Sequence, residues 1–258
     1  MEFYQETRDP NRYPVFCILY RSWHCLEQFV RSCLQETQTD YQIILLDNSG
    51  DSPDGDLRKT SDRLADKYDE DRSRFVCCSF GSNLMYTRSV NELFDSYIEP
   101  YIEVTPSYYV SNPDMWALRT NWLTVLTGIW DELAQVRPVA QVAGLQYHDS
   151  ECNDLWFAGA VQHSLTEEFR DWLHTNRIPN GKRRSRVHLD YSYWRSLGGC
   201  SGSGLIQNSR VFEDLGKLDL QFVHYTSDAH MGWKTIRAGY ETYVVDLPFY
   251  HPHGSSSK

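Results

Sequence analysis

Apolar residues in the first half of the chain come in short runs separated by amphipathic stretches. Pro14 to Tyr20 is a run rich in strand formers, and the segment after it sets Leu26, Phe29, Val30, Cys33 and Leu34 at helical spacing. Tyr41 to Leu46 is a second run, which Asp47-Asn48-Ser49-Gly50-Asp51-Ser52-Pro53 closes with turn formers. The pattern then predicts a charged helix over 56–69, a strand over 75–79, a helix over 87–97 and a strand at Tyr108-Tyr109-Val110. Strands and helices alternating in this way predict an α/β fold on a doubly wound sheet. The second half is less regular, with helices predicted over 116–135 and 165–175 and a polar loop over 176–186.

In such a sheet ligands bind beyond the carboxyl ends of the strands. Three polar clusters fall on that rim: Asp47-Asn48-Ser49, Gly81-Ser82-Asn83 and Ser111-Asn112-Pro113-Asp114. Taken singly, each is equally an ordinary turn, because turns select these residue types. Composition narrows the ligand. The 258 residues, without a linker, suit one domain with a sizeable core. With 25 basic against 35 acidic side chains, the chain has no general attraction to DNA or an acidic membrane surface. Lys182-Arg183-Arg184 and Arg186 are a local exception, either a solvated loop or a lid whose cations meet phosphate. Eight Trp and seventeen Tyr fit core packing and sugar stacking alike.

Seven Cys without a CxxC pair fit a reducing compartment. The N-terminus lacks a basic segment leading into an apolar one, and no run approaches the about 18 apolar residues of a membrane span. The expectation is a soluble, cytoplasmic protein.

Several fragments recur in a fixed order: Ile18-Leu19-Tyr20-Arg21, then Ile44 to Ser49, then Asn83 with Asn91, then Asn112-Pro113-Asp114. Gly202-Ser203-Gly204-Leu205-Ile206 follows, then Val211 to Asp219, Thr226-Ser227-Asp228-Ala229-His230, Trp233, Arg237 to Tyr240, and finally His251. Across nearly the whole chain this order resembles family-2 glycosyltransferases of the GT-A fold, especially their rhamnosyltransferase-like branch. The resemblance implies a Rossmann-like doubly wound mixed sheet with helices on both faces. About 1–118 would be the nucleotide-sugar-binding half and about 119–258 the acceptor-binding half.

The same resemblance implies inverting transfer from a nucleoside-diphosphate sugar, a UDP- or dTDP-sugar, to a hydroxyl of a glycan or other acceptor. Asp228 takes the catalytic-base position. Tyr20, Asp47, Asn83 and Asn112 would contact the donor. Asp114, in a variant D-x-D motif, and His251 would hold Mn2+ or Mg2+. Two further expectations come from the residues themselves: Arg88, whose guanidinium matches phosphate oxygens, as an added clamp on the donor's diphosphate, and Trp194 and His230 beside the acceptor. The sequence departs from the pattern where Met85 and Arg88 replace glycines and where Ser227 and His230 replace the outer acids of E-D-x-D.

The chemistry accounts for these residue types. A leaving diphosphate must be neutralised and an acceptor hydroxyl deprotonated, and hard cations take carboxylate and phosphate oxygens. Plain alternatives stand beside each assignment. Asp228, Ser227 and Asp114 could cap helices, Asp47 could close an Asx turn, and Arg88 could pair with Glu92 on a helix surface. Tyr191, Tyr193 and Trp194 could simply pack. Rival functions are a nucleotidyltransferase, although Leu19 to Trp23 lacks the glycines of its N-terminal loop, and a non-catalytic nucleotide-sugar- or carbohydrate-binding module. A glycosyltransferase acting on nucleic acid through the 182–186 patch is a third.

Overall fold

The structure is a computed structural model that describes residues 4–5, 7–48, 57–68, 71–162, 172–174, 178, 181–223 and 226–252. The first half runs β1 (Tyr4–Gln5), β2 (Tyr13–Leu19), α1 (Trp23–Leu34), β3 (Tyr41–Asp47), α2 (Leu57–Tyr68), β4 (Phe75–Ser79), α3 (Met85–Tyr97) and β5 (Ser107–Ser111). Then come β6 (Trp116–Ala117), α4 (Trp122–Ala134), β7 (Val139–Tyr147), β8 (Leu155–Phe157), β9 (Ala160–Gln162) and β10 (Trp172–His174). The rest comprises β11 (Arg183–Arg184), β12 (Ser192–Ser196), β13 (Leu205–Asn208), α5 (Ser209–Asp214), α6 (Ser227–Arg237) and β14 (Glu241–Tyr250).

Alternation along the strands explains the layering. Val15 and Cys17 of β2, Ile43 and Leu45 of β3, and Phe75 and Cys77 of β4 join one core with Phe29 of α1, Leu64 of α2 and Leu126 of α4. Their neighbours Phe16, Ile18, Ile44, Leu46, Val76 and Cys78 face the other way, onto Leu93 and Phe94 of α3, Phe212 of α5 and Met231 of α6. Strands buried on both faces need such continuous apolar runs, which is why these three were legible.

The main sheet has the order β1-β4-β3-β2-β5-β13-β7-β14-β12-β11, with β6 joined to β14 and β8 to β7. β4, β3, β2 and β5 are parallel, whereas β13 runs antiparallel to both β5 and β7. The sheet is therefore mixed, with helices on both faces, and it continues through both halves of the chain. Among the described residues no helix is long and apolar enough to cross a membrane.

Three predicted elements differ. The helix expected from 116 begins at Trp122, because Trp116 and Ala117 are taken up by β14 in the pairs Tyr250–Trp116 and Phe249–Ala117. Residues 172–174, expected in a helix, form β10 against β9, and the rest of that expected helix lies outside the described residues. Within the polar loop, Arg183 and Arg184 pair with Tyr193 and Ser192 as β11. β7 escaped the sequence reading because Gln141 and Gln146 interrupt its apolar pattern. Both are buried and bonded, Gln141 Nε2 to Gln207 Oε1 at 2.9 Å and Gln146 Nε2 to Ser203 O at 2.9 Å.

Candidate active site

The strand order changes direction at β2, whose successor β3 lies on one side and β5 on the other. Crevices at the carboxyl ends of strands beside such a reversal are where open α/β sheets bind ligands. A cavity of about 330 Å³ opens there, lined by Ile18, Tyr20 and Ser22 after β2, Asn48 after β3 and Asn112, Pro113 and Asp114 after β5. Asn83, Met85 and Tyr86 at the start of α3, Ser201 to Ser203, Thr226, Asp228 and His251 complete the lining.

Buried asparagine chemistry holds the α3 side. Asn48, 3 % exposed, donates from Nδ2 to Asn83 Oδ1 at 3.0 Å and accepts from the Leu84 N–H at 2.7 Å. Asn83 Oδ1 also accepts from the Met85 N–H at 2.8 Å. The two side chains therefore do the work of a helix cap at α3, where Leu84 in the cap position makes no side-chain cap bond.

On the opposite wall the turn after β5 is bound to the loop before β13. Ser203 Oγ accepts from the Asn112 N–H at 2.8 Å, and the Gly204 N–H donates to Val110 O at 2.9 Å. Gly204 has φ +75°, and a Cβ there would sit 2.3 Å from Met115 Sδ, so this crossing admits glycine alone. Asp114 is 3 % exposed. Its charge adds to burial in raising the thiol of Cys25, in the first turn of α1. The antiparallel ladder of β14 with β6 ends at the Tyr250–Trp116 pair, next to His251 in one strand and two residues after Asp114 in the other. The His251 N–H donates to Tyr147 O at 2.7 Å, which fixes the backbone at this end of β14.

Asp228 lies in the first turn of α6, one residue inside its start, and the cap position belongs to Thr226. Both carboxylate oxygens are engaged: Oδ1 accepts from the Ala229 N–H at 2.8 Å and Oδ2 from the Gly202 N–H at 2.8 Å. The Gly202 carbonyl accepts in turn from the Tyr86 hydroxyl. Burial, aided by the charge of Asp228, pushes the Tyr86 phenol well above its ordinary value, so it remains a donor. α6 can approach this closely because Gly199 and Gly232 meet backbone to backbone: a Cβ on Gly232 would lie 2.4 Å from the Gly199 Cα. Left-handed backbone gathers at the same rim, with Met85 (φ 59°) and Thr226 (φ 77°) in the lining and Arg21 (φ 53°) between two lining residues. Strain of this kind tends to mark functional sites.

The cavity thus gathers Tyr20, Asn83, Asn112, Asp114, Asp228 and His251. It does not gather the remaining expected site residues. Asp47 is buried at the end of β3, one residue before Asn48. By strand alternation it shares the face of Ile43 and Leu45, away from Ile18 and the cavity. Arg88 is on the outer face of α3, 3.2 Å from Glu92 and 60 % exposed. Trp194 is 3 % exposed and spends its indole N–H on Ala158 O at 2.9 Å. His230, two residues past Asp228 on α6, stacks on Trp233, and burial with help from Lys234 lowers its pKa. Asn48, Tyr86 and Ser203 had no assigned role. Asn48 and Ser203 stood inside quoted motifs, whereas nothing local marks Tyr86.

A divalent cation is constrained by this donor set. One carboxylate and one imidazole suit Mn2+ better than Mg2+, which takes oxygen ligands. Among the described residues no group of three or more His, Cys, Asp or Glu side chains could hold an ion. The set fits a metal whose other ligands are phosphate oxygens and water, as Mg2+ sites commonly are.

No protein-family profile matches the chain, and no curated protein does. Solved structures do. Over 94 % of its length the chain superposes on GalNAc-T7, solved with UDP, GalNAc and Mn2+, with a TM-score of 0.69 at 11 % identity. Over 96 % it superposes on the mannosyltransferase PcManGT from Pyrobaculum calidifontis, solved with GDP-Man and Mn2+, with a TM-score of 0.58 at 11 % identity. Residues 1–349 of TarS from S. aureus give 0.58 over 94 % of the chain, again at 11 % identity. The chain spans 44 %, 59 % and 61 % of these three chains. At such identity the likeness speaks for architecture, and the architecture is the GT-A fold.

Proposed function

We propose that the protein is a metal-dependent glycosyltransferase that moves a sugar from a nucleoside-diphosphate donor to an acceptor hydroxyl with inversion. The observation that carries this reading is that Asp114, His251 and Asp228 line one cavity together. The bound donors named for GalNAc-T7 and PcManGT, UDP and GDP-Man, each with Mn2+, support a nucleotide-sugar ligand. The order of motifs supports the rhamnosyltransferase-like branch and a UDP- or dTDP-sugar.

In this reading Tyr20, Asn83 and Asn112 bind the donor. Asp114 and His251 hold Mn2+ or Mg2+, which neutralises the charge that develops on the diphosphate. Asp228 takes the proton of the acceptor hydroxyl as its oxygen bonds the anomeric carbon. The bond from that carbon to the diphosphate oxygen breaks, and the electron pair leaves with the diphosphate. Two carboxylates line the cavity among the described residues, Asp114 and Asp228. With the first on the metal, one remains, enough for a base but not for a base plus a separate carboxylate nucleophile. That count supports a single displacement and hence inversion. Residues before about 118 supply the donor side and later ones the acceptor side of a single cytoplasmic enzyme.

The test is a panel of nucleotide sugars assayed for metal-dependent hydrolysis and transfer. General-base help is worth about 10²–10⁴-fold, so Asp228→Asn should lower turnover at least about 100-fold with donor affinity nearly unchanged. Turnover within a few-fold of wild type in that variant would remove Asp228 from the mechanism.

A further inference from the structure

One residue, through the two peptide groups that flank its Cα, joins two side chains that chain order keeps far apart. The Gly202 N–H donates to Asp228 Oδ2 at 2.8 Å, and the Gly202 carbonyl accepts from the Tyr86 hydroxyl. Tyr86 belongs to α3, whose start is fixed by Asn48 and Asn83, and Asp228 belongs to α6. The residue is confined from both sides: a Cβ on Gly202 would lie 2.9 Å from the Tyr86 Oη and 3.1 Å from the Asp228 Cβ. The two bonds grip the backbone on either side of the Gly202 Cα, so holding the carbonyl fixes how the N–H is aimed at Asp228.

We infer that Tyr86 is a positioning residue for Asp228, acting through the backbone geometry of Gly202. It orients the carboxylate that faces the acceptor while standing on the helix that borders the donor. The carboxylate is then oriented only when α3 is seated, and the seating of α3 is set by the Asn48–Asn83 contact on the donor side. This rests on the proposed role of Asp228 as base, and the experiment separates the two ideas.

The experiment is a double-mutant cycle between Tyr86→Phe and Asp228→Asn, read as kcat and as donor affinity by calorimetry. Phenylalanine keeps the ring and removes only the donor. Losing one hydrogen bond of ordinary strength corresponds to about a tenfold fall in kcat, with donor Kd unchanged. Because Tyr86 acts through Asp228, Tyr86→Phe should lower kcat no further in the Asp228→Asn background. Falls that simply multiply overturn the inference and leave the base intact. Full activity in Asp228→Asn overturns the base instead.

A second measurement stands apart from turnover. With 15N-labelled glycine, the Gly202 amide proton should move upfield in Tyr86→Phe and in Asp228→Asn, with Tm close to wild type. A Gly202 resonance that Tyr86→Phe leaves in place overturns the relay whatever the kinetics. Gly202→Ala should reproduce the loss of kcat, since its methyl would part Tyr86 from Asp228.

Discussion

Placing a methyl group at Gly232 tests whether the catalytic geometry depends on how closely α6 approaches the loop before β13. In Gly232→Ala the new Cβ would lie 2.4 Å from the Gly199 Cα and 2.6 Å from its nitrogen, backbone atoms that cannot swing aside. Reaching the 3.4 Å at which ordinary contact begins requires α6 to retreat by about 1 Å. Asp228 sits one turn earlier on the same face of that helix and moves with it. Its 2.8 Å bond from the Gly202 N–H would open to about 3.8 Å if the shift falls along it, outside hydrogen-bond range. A misplacement of about 1 Å costs about 100-fold in rate. Stability changes far less, because alanine in place of a helical glycine gains about 1 kcal/mol while overpacking costs about 1–3 kcal/mol. At about 2–4 °C per kcal/mol for a chain of this size, Tm should fall by less than about 8 °C. The assay is kcat for donor hydrolysis and transfer beside a thermal melt. Gly128→Ala is the control, because its Cβ meets only the imidazole end of His188, which can turn away, and kcat should hold. Wild-type kcat in Gly232→Ala would refute the reasoning.

Asp114→Ala and His251→Ala should each weaken donor binding in the presence of Mn2+ by about tenfold or more and leave metal-free donor binding unchanged; equal titrations with and without the ion would contradict the assignment. Asn48→Ala leaves the Leu84 N–H without its buried partner and Asn83 Oδ1 with one donor fewer, and should cost about 1–3 kcal/mol in urea unfolding, with a weaker donor Kd. Six of the seven cysteines are buried, so at neutral pH a thiol reagent should label Cys152 alone until the protein unfolds. Burial raises the Cys17, Cys33 and Cys200 thiols above the ordinary 9.0. With the folded value above the unfolded one, their contribution is complete below about pH 9 and lost as pH rises past it. Urea midpoints that stay level from pH 8 to pH 10.5 would count against this.

The parallel core was legible because β2, β3 and β4 are buried on both faces and so carry unbroken apolar runs. Asn112 and Asp114 were legible for a related reason, since a doubly wound sheet puts its ligands after such strands. The antiparallel part was not. β7 uses buried glutamines that only a folded partner can satisfy, and β6 is a strand only because β14 passes beside it. Tyr86 was invisible for the same physical reason: its hydroxyl partner, Gly202, comes 116 residues later. Arg88 matched the idea of a phosphate clamp by residue type, but helix phase turns it outward to Glu92.

β13 is four residues long, arrives late in the chain and slots between β5 and β7, which precede it by about 100 and about 60 residues respectively. Until it does, nothing holds the turn bearing Asp114 against Ser203, and nothing presents Gly202 to Asp228. Non-local closures of this sort are slow, because loop entropy is spent before the contacts form. The parallel strands can therefore assemble as the chain emerges, while the cavity is completed only when the last third of the chain is in place. In the proposed reading, a nascent chain stopped before β13 would be chemically silent, so the onset of catalysis falls at the end of synthesis.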